Sequence, residues 1–67
     1  MNFVLLNGKK YPLDANCTLL KLIENLGITH KAMAVAINMQ VIKKSLWESY
    51  VLQNGDEIEI LDFVGGG

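Results

Sequence analysis

The sequence predicts an α+β fold in which one main helix packs on one face of a mixed sheet of four to five strands. Three features predict it: two Asn-Gly turn signals, one helical apolar stripe, and short apolar runs separated by turns. The chain has 67 residues, of which 51% are hydrophobic. This is enough for one compact core, although a domain of this size has little stability margin.

The first elements are predicted to be a β-hairpin. The apolar run 1–6 is followed by Asn7-Gly8, and a type I′ turn needs positive φ at both of its central residues. Residues 10–13 then return as the second strand. Pro12 cannot donate a backbone hydrogen bond, so we expect it at a sheet edge or near the end of the strand.

The next element is predicted to be the helix. Thr18 or Asn16 supplies a capping side-chain oxygen, and Gly27 suits the left-handed position that ends helices. Apolar residues recur between them at three- and four-residue spacing, which gives one apolar stripe. The stripe consists of Leu19, Leu22, Ile23 and Leu26.

The second half of the chain predicts three further strands. Residues 32–38 are almost wholly apolar, as is typical of a strand buried on both faces. A turn at 38–40 leads to a short strand, residues 43–50 form a turn or 3₁₀ segment, and residues 57–64 form the last strand. This order suggests a β-grasp with a domain at 1–64 and a flexible tail at 65–67. The expected core is Leu19, Ile23, Leu26, Val35, Ile37, Ile58 and Ile60.

Composition argues against several classes of function. One cysteine allows no disulfide within the chain and fits the cytoplasm, and no Cys/His cluster has metal-ligand spacing. All six positive charges are lysine, which gives nucleic-acid binding little support. We expect no signal peptide and no membrane span, because the apolar runs are too short. No nucleophile–base arrangement or phosphate loop appears, so we expect no catalysis by the chain alone and no cofactor of its own.

Four other positions have ordinary structural interpretations. We expect Cys17 to be a small packing residue; a sulfur-relay role is the alternative, favoured if the helix N-terminus lowers its pKa. His30 and the Lys43-Lys44 pair are expected to be solvated. Trp47 is expected in the core, with a place on the border of a partner surface as the alternative.

The last strand is predicted to present a docking patch. If Ile58 and Ile60 face the helix, alternation points Leu61 and Phe63 to solvent, beside acidic side chains. A bulge that swaps the register, or a sheet corner that covers Phe63, is the alternative. Four acidic residues crowd this end of the chain, which favours a basic partner. They are Asp56, Glu57, Glu59 and Asp62.

The glycines at the end suggest chemistry rather than packing. Gly65 and Gly66 place no side chain beside the backbone, so they suit a narrow tunnel in another protein. The terminal carboxylate of Gly67 is then the reactive group. A carboxylate becomes an acyl donor once adenylation by ATP turns its oxygen into a leaving group. A frayed end or a cloning remnant is the alternative.

Four segments are spread along the chain: "TLLKLIENL", "AVAINMQVIKKSLW", "LQNGDEIEI" and "FVGGG". On these segments the chain resembles the sulfur-carrier proteins of thiamine biosynthesis, the ThiS family, which have a ubiquitin-like β-grasp fold. The resemblance implies that an E1-like (ThiF-like) enzyme adenylates Gly67, that a cysteine desulfurase pathway supplies sulfur, and that a thiazole synthase (ThiG-like) receives it. The alternatives are the small subunit of molybdopterin synthase and a ubiquitin-like module that only binds or tags proteins.

Overall fold

The computed structural model describes residues 2–62, so the predictions for Phe63, Val64 and residues 65–67 lie outside the described residues. The elements are β1 (Phe3–Leu6), β2 (Lys9–Pro12), α1 (Leu19–Leu26), β3 (Ala32–Ile37), β4 (Gln40–Val41), a 3₁₀ turn (Lys44–Leu46) and β5 (Glu57–Asp62). Within the described range, no helix has the length and apolar character needed to cross a bilayer.

The strands form one five-stranded mixed sheet in the order β2-β1-β5-β3-β4. β5 is the central strand, parallel to β1 and antiparallel to β3. The α+β prediction, with one main helix and a mixed sheet of four to five strands, is confirmed. Among the described residues β5 is the last strand in sequence, and it lies between β1 and β3 rather than at an edge of the sheet.

Two tight turns connect the antiparallel neighbours. Asn7 and Gly8 have φ values of 48° and 86°, as a type I′ turn requires, and join β1 to β2. Asn38 and Met39, with φ values of 52° and 69°, join β3 to β4 in the same way. Methionine rarely adopts this left-handed conformation, and Met39 is 90% exposed, so contacts with the core do not hold it there.

Helix α1 has the ends that the sequence predicts. The hydroxyl of Thr18 accepts a hydrogen bond from the backbone N–H of Lys21 at 3.2 Å, so Thr18 rather than Asn16 is the cap. Gly27 ends the helix in the left-handed conformation, with φ 72°. Between these ends, the buried side chains are Leu19, Leu22 and Ile23.

The core lies between α1 and the sheet. Five of the seven expected core residues are buried, whereas Leu26 and Ile60 are half-buried and pack against the core. Leu26 is the last residue of the helix, and Ile60 lies on β5 beyond the end of β1. Trp47 is buried, as expected, and its indole N–H donates to the Ile42 carbonyl at 3.0 Å. The buried hydrophobic residues are Val4, Cys17, Leu19, Leu22, Ile23, Ala32, Val35, Ile37, Ile42, Trp47, Leu52 and Ile58.

Strand β3 is buried on one face only. Val35 and Ile37 belong to the core, but Ala34 and Ala36 are partly exposed and Met33 is 58% exposed. The expectation of two covered faces is therefore wrong. The helix covers one side of the sheet, and we call the opposite side the open face.

Candidate functional site

The central strand β5 carries the candidate site on the open face. Ile58 is buried and Ile60 half-buried toward α1, while Glu57, Glu59 and Leu61 alternate with them and are exposed. Leu61 is 63% exposed, so the predicted orientation of this residue is confirmed. Phe63, its predicted companion in the docking patch, lies outside the described residues.

A bulge in the neighbouring strand β3 exposes an apolar side chain, that of Met33, next to the pairing with Leu61. The register of β3 against β5 shifts between Ala32, which pairs with Asp62, and Ala34, which pairs with Leu61. Met33 is the extra residue, and its side chain is largely exposed beside this pairing. The irregularity therefore lies in β3, and the alternation of β5 continues through Leu61. The sequence did not single out Met33, because it lies in a uniformly apolar run.

Two asparagine side chains hold β5 from opposite sides. The side-chain oxygen of Asn38 accepts from the backbone N–H of Glu57 at 3.0 Å, at the start of the strand. The side-chain oxygen of Asn7 accepts from the backbone N–H of Ile60 at 2.9 Å, near its end. Sequence reasoning identified both asparagines only as turn residues, because contacts 19 and 53 positions away leave no local pattern.

The acidic side chains at this end separate into two roles. Asp56 is buried, and its carboxylate accepts from the amide N–H₂ of Asn38 at 3.1 Å and from the backbone N–H of Gln53 at 2.8 Å. It therefore braces the loop before β5. The sequence had suggested that Asp56 belongs to an acidic surface facing a basic partner, and its burial shows that it does not. Glu57 and Glu59 are exposed on the open face and give it negative charge.

The environment of Cys17 is that of a packing residue. Its side chain is buried, and its thiol donates to the carbonyl of Thr18 at 3.4 Å. Burial, together with the nearby charge of Asp14, raises the pKa of the thiol, against a smaller opposing effect of Lys21. The expectation that Cys17 is a packing residue is confirmed. The pKa shift is opposite to the one that the sulfur-relay alternative needed, and a neutral thiol is the poorer nucleophile.

The other positions singled out from the sequence are unremarkable in chemistry. His30 is exposed in the loop before β3, and Lys43 and Lys44 are exposed as well. The ammonium of Lys44 lies 5.6 Å from the ring centroid of Trp47, so this lysine covers the edge of the core. Over the described part of the chain, no group of three or more His, Cys, Asp or Glu side chains is placed to hold a metal ion.

Two surface depressions lie at the other end of the sheet, around Asn2. The larger, of about 530 Å³, is lined by Asn2, Phe3, Lys10, Tyr11 and Pro12. Phe3 sits beside the start of β5, because the Gly55 N–H donates to its carbonyl at 2.7 Å. These depressions are therefore remote from the end of β5.

Comparisons with known proteins agree with this geometry. The model of the ThiS family matches residues 4–67. The chain is similar to the sulfur carrier protein ThiS of Escherichia coli, with 30% identity over 64 residues that cover 96% of this chain and 97% of that protein. It is also similar to the crystal structure of a thiamine biosynthesis protein (ThiS) from Geobacter metallireducens, with a TM-score of 0.77, 25% identity, and coverage of 97% of this chain and 99% of the other.

A further relative is much longer. A thiazole synthase of Paramagnetospirillum magneticum is 31% identical over 64 residues, which are 96% of this chain but 20% of that protein. The chain thus spans about a fifth of the length of this relative.

The family model matches nearly the whole chain, and the fold is that of a ubiquitin-like β-grasp. The chain therefore belongs to the ThiS family.

Proposed function

We propose that the protein is a sulfur carrier of thiamine biosynthesis and that the terminal carboxylate of Gly67 carries the sulfur. The observation that supports this most is the end-to-end similarity to a sulfur carrier, which covers 96% of this chain and 97% of the relative. The match of the ThiS model over residues 4–67 favours the thiamine branch over the small subunit of molybdopterin synthase.

The chemistry of the carrier takes place at one carbon atom. A carboxylate oxygen of Gly67 attacks the α-phosphorus of ATP, so that an acyl-adenylate forms and pyrophosphate leaves. A sulfide equivalent then attacks the carbonyl carbon, the C–O bond to AMP breaks, and a thiocarboxylate remains. We assign the acid–base chemistry of these steps to the partner enzymes. The protein acts as a co-substrate, and the ATP belongs to the activating partner.

The domain supplies recognition. Leu61 on β5 and Met33 in the bulge of β3 are both exposed apolar side chains, and the sequence places Phe63 two residues after Leu61. Fixing each tail glycine in a partner's active site costs on the order of 1–2 kcal/mol. Apolar burial at the docking patch offsets that cost, and Glu57 and Glu59 favour a partner with basic side chains around an apolar depression.

Two kinds of partner follow from this chemistry. An E1-like adenylating enzyme (ThiF-like) activates Gly67, with sulfur from a donor such as a cysteine desulfurase, and a thiazole synthase receives the sulfur. The thiazole synthase relative supports the second partner, because one chain there contains a segment similar to this protein. Because a single cysteine fits a reducing compartment, we propose that the carrier acts in the cytoplasm.

Intact-mass spectrometry tests the proposed function. Incubated with an E1-like enzyme, ATP and a sulfide source, the protein is expected to gain a species in which one oxygen is replaced by one sulfur. Its fragment ions should place the change on Gly67. If Gly67 stays unmodified under these conditions, the proposed carrier function is wrong.

The docking patch gives a separate prediction. Leu61→Ala and Phe63→Ala are each expected to weaken binding to the activating enzyme by about tenfold, as loss of a buried apolar anchor typically does, without unfolding the carrier. Val51→Ala is the matched control, since Val51 is also exposed but pairs with Thr18 on the helix side. Calorimetric titration measures the affinities. An unfolded Phe63→Ala protein would place Phe63 in the core, and wild-type affinity in both variants would rule out the patch.

A further inference from the structure

Strand β5 extends beyond the end of β1, its parallel neighbour in the sheet. β1 pairs with β5 only from Leu5 opposite Glu57 to Leu6 opposite Ile58, whereas β5 continues to Asp62. The chain turns away at Asn7, where φ is 48°. From this point only β3 pairs with the strand, and the bulge interrupts that pairing next to Leu61.

The side chain of Asn7 replaces the missing neighbour. Along this edge of β5, the Leu5 N–H donates to the Asp56 carbonyl and the Asn7 N–H to the Ile58 carbonyl, both at 2.8 Å. The next donor on the same edge is the N–H of Ile60. A continued β1 would offer it a backbone carbonyl; instead the side-chain oxygen of Asn7 accepts at 2.9 Å. The turn residue thus extends the parallel ladder by one step.

We infer that Asn7 is a positioning residue for the carrier. Its bond to Ile60 fixes the end of β5, and the sequence continues from there through Leu61 toward Gly67. The inference rests on the proposed function. Without this bond, the end of β5 is held by one interrupted ladder. The partner enzyme then has to order that end during docking, which weakens binding but leaves the chemistry at Gly67 unchanged. The affected quantity is therefore KM for the carrier rather than kcat.

The chain offers a matched control at the other end of the sheet. Asn54 also precedes a glycine, and its side-chain oxygen also accepts a backbone N–H, that of Phe3, at 2.9 Å. Both bonds join residues more than 50 positions apart. Asn7→Gly and Asn54→Gly each remove one such acceptor. Glycine tolerates the positive φ of position 7, so the turn itself is retained.

Two measurements test the role of Asn7. In Asn7→Gly, amide hydrogen exchange at Ile60 is expected to accelerate about fivefold and KM in adenylation to rise about fivefold, with kcat unchanged. Such a factor corresponds to one net hydrogen bond of about 1 kcal/mol. Asn54→Gly should accelerate exchange at Phe3 and leave KM at the wild-type value. Asn7→Asp keeps an oxygen acceptor and tolerates the left-handed conformation, so it should restore both quantities.

The possible outcomes bear on the positioning role of Asn7 in different ways. Equal rises of KM in Asn7→Gly and Asn54→Gly would show a general loss of stability and overturn the proposal, as would faster exchange at Ile60 with unchanged KM. A wild-type protein that the E1-like enzyme does not adenylate would mark failure of the proposed function instead. In that case exchange still tests the structural premise: unchanged exchange at Ile60 in Asn7→Gly would show that the bond from Asn7 does not hold the end of β5.

Discussion

Deleting Gly67, or adding one alanine after it, is expected to abolish adenylation and thiolation while the unfolding midpoint stays at its wild-type value. Either change displaces the carboxylate along the chain by about 3.5 Å. A misplacement of about 1 Å at a reacting centre already costs roughly a hundredfold in rate. We therefore expect a loss of at least that size, measured as pyrophosphate release in the presence of the E1-like enzyme.

Gly67→Ala separates the position of the carboxylate from the need for glycine. It leaves the chain length unchanged and adds one Cβ beside the reacting carbonyl. Its rate should fall between those of the wild-type protein and the extended variant, because crowding is then the only defect. Adenylation of the extended variant at the wild-type rate would show that the terminal carboxylate is not the carrier.

The elements of the fold could be predicted because each has a local signal. Asn7-Gly8 specifies a type I′ turn, and Thr18 with Gly27 delimits the helix in sequence and structure alike. The apolar stripe of α1 gives the buried face directly. Such signals lie within a few residues of one another, so no knowledge of tertiary contacts is needed.

The features that the sequence did not predict correctly are those that tertiary contacts determine. The run 32–37 is uniformly apolar, but only one face of β3 meets the helix, and its bulge exposes Met33. The position of Cys17 before a helix left a lowered pKa open as the alternative to packing, whereas burial raises the pKa. Asp56 looked like part of an acidic surface, but its partners Asn38 and Gln53 make it a brace inside the fold. Neither burial nor a distant hydrogen-bond partner is visible in sequence spacing.

In the candidate site, too, a local feature could be predicted, whereas a contact between distant residues could not. Alternation along β5 predicted that Leu61 faces solvent, because side chains on a strand point to opposite faces in turn. The contribution of Asn7 could not be predicted, since it depends on β1 ending where β5 continues. The chemistry assigned to Gly67 is a property of the terminal carboxylate, and it remains a prediction.

Ile23→Ala is expected to remove a large part of the stability of the domain. The side chain of Ile23 is fully buried in the core. Replacing a buried isoleucine by alanine costs roughly 2–5 kcal/mol, because apolar contacts are lost and a cavity remains. A domain of 67 residues has a free energy of unfolding of only about 3–10 kcal/mol, so this change removes a large part of it.

Two matched variants make the test of Ile23 specific. Ile23→Val removes one methylene and should cost only about 0.5–1.5 kcal/mol. Leu20→Ala lies on the same helix at a half-buried position, so it removes a similar number of carbon atoms from a less enclosed site and should cost less than Ile23→Ala. Urea unfolding followed by circular dichroism gives the midpoints of the wild type and the three variants. Because Ile23 packs α1 on the sheet, Ile23→Ala is expected to be the least stable and the wild type the most stable, with Leu20→Ala and Ile23→Val between them. An unchanged midpoint in Ile23→Ala would contradict that packing.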